Sequence, residues 1–192
     1  IYVAEEIVDE FGKRLAEKAS QLLVGNGIEE QTQVGPLINQ QALDKVMDHV
    51  KDAIEHRGEI LCGGEAFTST DLQGCFYKPT VINYANENMK IANEETFGPV
   101  VPIFTFKTEE EVIEKANNTT YGLAAYCYTS NLGRGLRMMQ ELDYGIVGIN
   151  DPAPITTQSP FGGIKESGIG KEGGRQGIEE YLEKKFVSIN IE

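Results

Sequence analysis

The chain predicts an α/β fold: a three-layer, mostly parallel sheet with helices on both faces. Strand-like runs alternate with amphipathic helical patterns along the 192 residues, the order that parallel strands joined by helical crossovers produce. The run from Leu123 to Thr129 is apolar and reads as a buried strand. Hydrophobic residues at 40% and charged residues at 24% describe an ordinary globular protein, long enough for one domain with a sizeable core.

The elements follow in order. Glu5 to Leu23 sets Val8, Phe11, Leu15, Ala19 and Leu22 at helical spacing, acids first and lysines later, as the helix dipole favours. Gly25-Asn26-Gly27 ends it. After Val34-Gly35-Pro36, a second helix runs from about Asn39 to Arg57 with Leu43, Val46, Val50 and Ile54 on one face. A short strand from Glu59 to Cys62 stops at Gly63-Gly64, and strands near Tyr77 to Tyr84 and Val100 to Phe106 follow. Thr108-Glu109-Glu110-Glu111 forms a capping box that opens a helix with Val112, Ile113 and Ala116 inward. The buried strand comes next, then a helix carrying Leu132, Leu136, Met139 and Leu142, then the strand Gly145 to Asn150. Residues 151–174 form a long Pro/Gly-rich loop, a feature usually functional in compact domains. A helix near Gly177 to Lys184 and a strand from Phe186 to Ile191 close the chain.

Charge and cysteine content exclude several classes. With 17 Lys+Arg against 30 Asp+Glu, the net charge is −13. An acidic surface repels phosphate, so nucleic acid and anionic membranes are not expected partners. Apolar runs fall well short of the ~20 residues a membrane helix needs. No signal peptide opens the chain, and Ile1 is not an initiator Met, so the sequence reads as an excised or truncated segment. Cys62, Cys75 and Cys127 are odd in number and scattered, which argues against a disulfide framework and for a reducing compartment, the cytoplasm. Cys62 and Cys127 lie in apolar strand contexts, and Cys75 is the most exposed candidate. His49 and His56 lack nearby ligand spacing and read as surface residues, so no metal is expected.

Two stretches carry chemistry. In Glu94-Glu95-Thr96-Phe97-Gly98-Pro99-Val100, a carboxylate can accept from both vicinal hydroxyls of a ribose, and an aromatic face beside it can support a flat nicotinamide. In Pro160-Phe161-Gly162-Gly163-Ile164-Lys165-Glu166-Ser167-Gly168, glycines let the backbone crowd a site while Phe161 lines an apolar tunnel. The bland alternatives are an acidic surface turn with a core Phe, and a packed Phe161. Gly168 to Gly173 satisfies G-x-G-x-x-G, but it follows a loop and not a strand, so it reads as a turn into the last helix. Gly170-Lys171 lacks the remainder of a Walker A loop.

Together the two stretches resemble signatures of the NAD(P)-dependent aldehyde dehydrogenases, over nearly the whole chain. The resemblance implies the C-terminal, larger part of that family's catalytic domain. It makes residues 1–185 a partial catalytic domain and residues 186–192 an oligomerisation strand, in a homodimer or homotetramer. It gives Glu95 the nicotinamide ribose and Phe97 the nicotinamide end of NAD or NADP. Lys45 aligns with a lysine that reaches toward the cofactor ribose, and a plain solvated lysine is the rival reading. Ala42 stands where the family often has Gln. Phe161 and the loop before it shape the aldehyde pocket, with Ile155 at a substrate-tail position and Thr156 beside it.

No catalytic residue is expected within the chain. The family's cysteine nucleophile, which forms a thiohemiacetal with the aldehyde, and its general-base glutamate are placed upstream of Ile1. Gly145 to Asn150 and Gly177 to Glu183 most resemble succinate-semialdehyde dehydrogenases, implying a semialdehyde substrate. Enzymes of that group often carry serine where Ile155 stands. A non-catalytic structural or oligomerisation module and a pseudoenzyme are the other two readings.

Overall fold

The computed structural model describes residues 1–70 and 72–192. Two compact units divide the chain, Ile1–Val112 and Ile113–Glu192.

The first unit is built on five strands in two hydrogen-bonded groups. One group is β1 (Tyr2–Ala4) with β7 (Phe104–Phe106), and the other is β2 (Glu59–Cys62), β5 (Thr80–Asn83) and β6 (Val100–Pro102), in that order. Ile103 interrupts what the sequence reads as one strand from 100 to 106. On one side of the break β6 runs parallel to β5, and on the other β7 runs parallel to β1. Only β2 joins antiparallel, to β5. The short ribbon β3 (Ala66–Phe67) and β4 (Phe76–Tyr77) takes the first part of the strand expected from 77 to 84.

Helices cover this sheet on both faces. All four residues of β5 are buried, and successive residues face opposite sides. Val81 packs with Val3, Val8, Ala16 and Ile103, the side covered by α1 (Val8–Ser20). Ile82 packs with Leu43, Val46, Val50 and Ala53 of α2 (Gln40–Glu55) and with Met89. The α2 start is fixed by Asn39, whose side chain accepts from the Ala42 amide at 2.9 Å. The inward stripe is Leu43, Val46, Val50 and Ala53, whereas Ile54, expected inward, is 52% exposed. A single turn, α3 (Lys90–Asn93), docks on α2: Asp52 accepts from the Lys90 amide and Asp48 from its ammonium, both at 2.7 Å.

The helix α4 (Glu109–Asn117) begins as expected, with Thr108 Oγ1 accepting from the Glu111 amide at 3.2 Å. In the second unit, β8 (Ala124–Cys127) and β9 (Ile146–Ile149) pair in parallel around α5 (Leu132–Glu141). Two corrections fall here. Residues 124–127 are half-buried instead of buried, Tyr126 being 46% exposed, since a two-stranded sheet with one helix in its crossover offers little cover. Leu132, Leu136 and Met139 of α5 are exposed, and the buried positions are Gly135 and Met138.

The expected last helix shrinks to α6 (Gln176–Glu179). Ile178, Tyr181 and Leu182 are 65%, 90% and 64% exposed, and a short helix with no apolar surface to pack on does not propagate. Residues 186–191 form no ladder among the described residues. Phe186 and Ile191 are each 92% exposed, and strand geometry needs a partner to take its backbone hydrogen bonds.

Candidate functional site

The first cluster rests on α2. Glu94 leaves α3 in extended conformation, and Gly98 passes beside Val46 of α2. A Cβ on Gly98 would stand 2.5 Å from Val46 Cγ2, so only glycine lets the backbone come this close. Phe97 takes a left-handed φ of +52° and holds its ring out, 83% exposed. That conformation costs an aromatic residue about 1–2 kcal/mol and persists only where neighbours fix it. Glu95 is exposed on the same loop.

His49 supplies much of the fixing. Contrary to the surface position expected for it, His49 is 1% exposed. Its Nδ1 lies 3.0 Å from Thr96 Oγ1 and its Nε2 3.3 Å from Glu94 Oε2. An ionised carboxylate only accepts, so Nε2 donates to Glu94, and in the neutral ring Nδ1 accepts from the Thr96 hydroxyl. The signal was present in the sequence: Val46, His49, Val50 and Ala53 fall at i, i+3, i+4 and i+7, a core stripe with His49 in it. His56 is exposed, as expected, its Nδ1 lying 2.9 Å from the Asp52 carbonyl oxygen while its own carbonyl accepts from Asn86 at 3.1 Å. Lys45 is exposed one turn before His49 on the same helical face. Thus Glu95, Phe97 and the helix bearing Lys45 belong to one structural cluster.

The second unit carries the other expected residues on one loop. Ile155 is 52% exposed and Thr156 is exposed. A tight turn ties Thr156 to Ser159: its amide and hydroxyl lie 3.1 and 3.3 Å from Ser159 Oγ, which donates back to the Thr156 carbonyl at 2.9 Å. The Thr156 proton is thereby engaged within the loop. Phe161 is half-buried and exchanges two backbone hydrogen bonds of 2.7 Å with Glu172. Lys171 donates to the carbonyls of Gly162 at 3.1 Å and Gly163 at 2.5 Å. Gly162 has φ +157°, and a Cβ there would meet the Gly170 carbonyl. The G-x-G-x-x-G run therefore serves as a brace for the Phe161 loop. Lys171, which the sequence shows only as part of an incomplete Walker A pattern, owes its role to carbonyls eight and nine residues away.

Lys165, also at positive φ, donates to the Asn117 carbonyl at 3.0 Å and stands 5.6 Å from the Tyr144 ring centroid. Burial raises the Tyr144 hydroxyl above its ordinary range, helped by Asp143, and that hydroxyl donates to the Ala116 carbonyl at 2.6 Å. These contacts anchor the far end of the glycine-rich stretch within the unit.

All three cysteines are free and half-buried. Burial raises the Cys62 thiol, the opposite of what a nucleophile needs. Among the described residues no three His, Cys, Asp or Glu side chains group to hold a metal, and no helix is long and apolar enough to cross a membrane.

The model of the aldehyde dehydrogenase family matches residues 1–187. The chain belongs to that family. Relatives include 3-sulfolactaldehyde dehydrogenase of Pseudomonas putida, 46% identical over 98% of this chain and 38% of the relative. Succinate semialdehyde dehydrogenase of Acinetobacter baylyi is 46% identical over 96% of this chain and 38% of its own length. The fold agrees. An aldehyde dehydrogenase crystal structure from Brucella melitensis superposes with a TM-score of 0.91 at 44% identity, covering 97% of this chain and 38% of that one. A Staphylococcus aureus betaine aldehyde dehydrogenase in complex with NAD+ gives 0.88 at 38% identity, covering 94% and 36%. The chain thus spans about 38% of the length of the curated relatives quoted.

Proposed function

We propose that these residues form the nicotinamide-side support and part of the aldehyde pocket of an NAD(P)-dependent aldehyde dehydrogenase. The reading is carried by one observation: a loop braced on α2 turns the Glu95 carboxylate and the Phe97 ring outward together. The donor set fits the cofactor. An exposed carboxylate has lone pairs for both hydroxyls of a ribose, and an exposed ring offers a flat apolar face. Lys45, on the helix beneath, adds a cation suited to a sugar hydroxyl or phosphate.

When bound, NAD or NADP would take up the hydride lost from the aldehyde carbon, the acid's second oxygen coming from water. This chain's part is to bind and orient. Glu95 and Phe97 fix the nicotinamide end, while Phe161 and Ile155 present apolar surface to the aldehyde. A cysteine nucleophile and a glutamate base come from outside these 192 residues, and the bound aldehyde is attacked there as a thiohemiacetal forms. Three free cysteines suit a reducing compartment, the cytoplasm. Residues 186–192 form a strand in a homodimer or homotetramer.

The substrate in this reading is a semialdehyde such as succinate semialdehyde. Support comes from the relatives' substrates: succinate semialdehyde and 3-sulfolactaldehyde are both aldehydes with an anionic group at the far end. Ile155 cannot pair with such a group, and Thr156 must release Ser159 to donate to one.

The deciding experiment replaces Glu95 with Gln in the complete polypeptide. Losing a charge-assisted hydrogen bond is worth roughly 1.5–3 kcal/mol, so nucleotide affinity or turnover should fall by about tenfold or more, with folding unchanged. An effect under about twofold on both would remove Glu95 from the cofactor site.

A further inference from the structure

The contacts around α2 centre on His49, a residue that touches neither cofactor nor aldehyde in the proposed site. On α2, Asp48 lies four residues before Asp52 and His49 three before it, so each is a helical neighbour of Asp52. Each holds part of the segment from 90 to 96. Asp52 and Asp48 take Lys90, and His49 takes Thr96 and Glu94. Of these three, only His49 is fully buried, with core neighbours Val46 and Val50 in its helix. A buried imidazole is tolerated when both ring nitrogens are satisfied, and here both partners belong to one short loop.

The consequence for that loop is geometric. Thr96 stands between the two residues proposed to meet the cofactor, and Glu94 stands immediately before them. Fixing 94 and 96 against the helix leaves 95 and 97 to project outward. Gly98 seated on Val46 closes the far end, so the left-handed Phe97 is held from both sides. We propose that His49 is a positioning residue: through Thr96 and Glu94 it sets the backbone that presents Glu95 and Phe97 to the nicotinamide nucleotide. This rests on the cofactor role given to Glu95 and adds a residue that acts through others.

The test uses the complete enzyme with NAD+ and NADP+ as probes. Thr96→Val removes the hydroxyl at nearly constant volume, His49→Phe fills the site without hydrogen bonds, and His49→Gln restores a donor and an acceptor. Hydrogen bonds are modest in net worth, somewhat more so to a charged acceptor, so Thr96→Val and His49→Phe should each raise the nucleotide KM or Kd by roughly three- to tenfold. The aldehyde KM should stay within about twofold, and His49→Gln should recover most of the loss. If His49→Phe does not fold, Thr96→Val carries the test alone. Folded Thr96→Val that binds nucleotide as the parent does overturns the positioning role. Glu95→Gln run alongside separates the two claims. A large effect there with none in Thr96→Val sinks only the role of His49, whereas no effect in Glu95→Gln sinks both.

Discussion

Replacing Gly98 with Ala tests the packing that seats the loop. An alanine Cβ would lie 2.5 Å from Val46 Cγ2 and 3.7 Å from Leu37 Cδ2. Carbon atoms prefer separations of about 3.5–4.0 Å, so the first contact overlaps by roughly 1 Å and the second fits. Val46 cannot turn aside easily. It is fully buried within α2, and a β-branched residue in a helix keeps essentially one χ1 rotamer. The loop must therefore lift or the helix must shift. Overpacking of this sort costs about 1–3 kcal/mol. Urea unfolding of the chain, followed by circular dichroism, should show a lower midpoint for Gly98→Ala. Val46→Ala should lose stability by itself, but the double variant should lose less than the sum, with a coupling of about 0.5–3 kcal/mol. Equal stability of Gly98→Ala and the parent, or strict additivity in the double variant, would refute the reasoning.

The remaining expectations concern charge, pocket and assembly. The Lys90 ammonium, hydrogen-bonded to Asp48, holds the Asp48 carboxyl below the usual carboxylate range. A carboxyl lowered in the folded state stabilises above its unfolded pKa, and that contribution is lost as pH falls through the folded value. Asp48→Asn should therefore lower the unfolding midpoint slightly at pH 7, and the difference should shrink as pH falls below the usual carboxylate range; a difference that stays constant with pH would contradict this. In the complete enzyme, Ile155→Ser should raise kcat/KM for succinate semialdehyde relative to an uncharged aliphatic aldehyde, by up to about tenfold, and an unchanged ratio would remove Ile155 from the substrate tail. Deleting Val187 to Glu192 from the complete enzyme should give monomers in analytical ultracentrifugation, because an apolar edge strand invites pairing with another chain. Retention of the intact oligomer would show that the segment does not hold the interface.

Much of this architecture is local in origin and legible without coordinates. The α2 boundaries follow from Asn39 as a cap and the spacing of Leu43, Val46 and Val50. The α4 start follows from Thr108. Glu95, Phe97 and Phe161 stand out because their loops combine reactive or aromatic side chains with glycine and proline, a combination that periodic elements do not use. Each of these depends on residues within a few positions of one another.

The tertiary structure decided what depends on distant partners. Ile54 and Ala53 are both plausible inward residues of α2, and only the sheet beneath selected Ala53. The interruption at Ile103 became visible when β5 and β1 claimed opposite ends of the same run. The final segment alternates like a strand, but a strand exists by pairing, and among the described residues it joins no sheet. His49 is the sharpest case. Its spacing permitted burial, but the residues that make burial affordable are Thr96 and Glu94, some 45 positions away. Periodicity in a sequence fixes which side chains share a face of a helix. Whether that face meets water or another part of the chain is set by the fold, because the hydrogen bonds that compensate a buried imidazole come from whatever the fold brings against it.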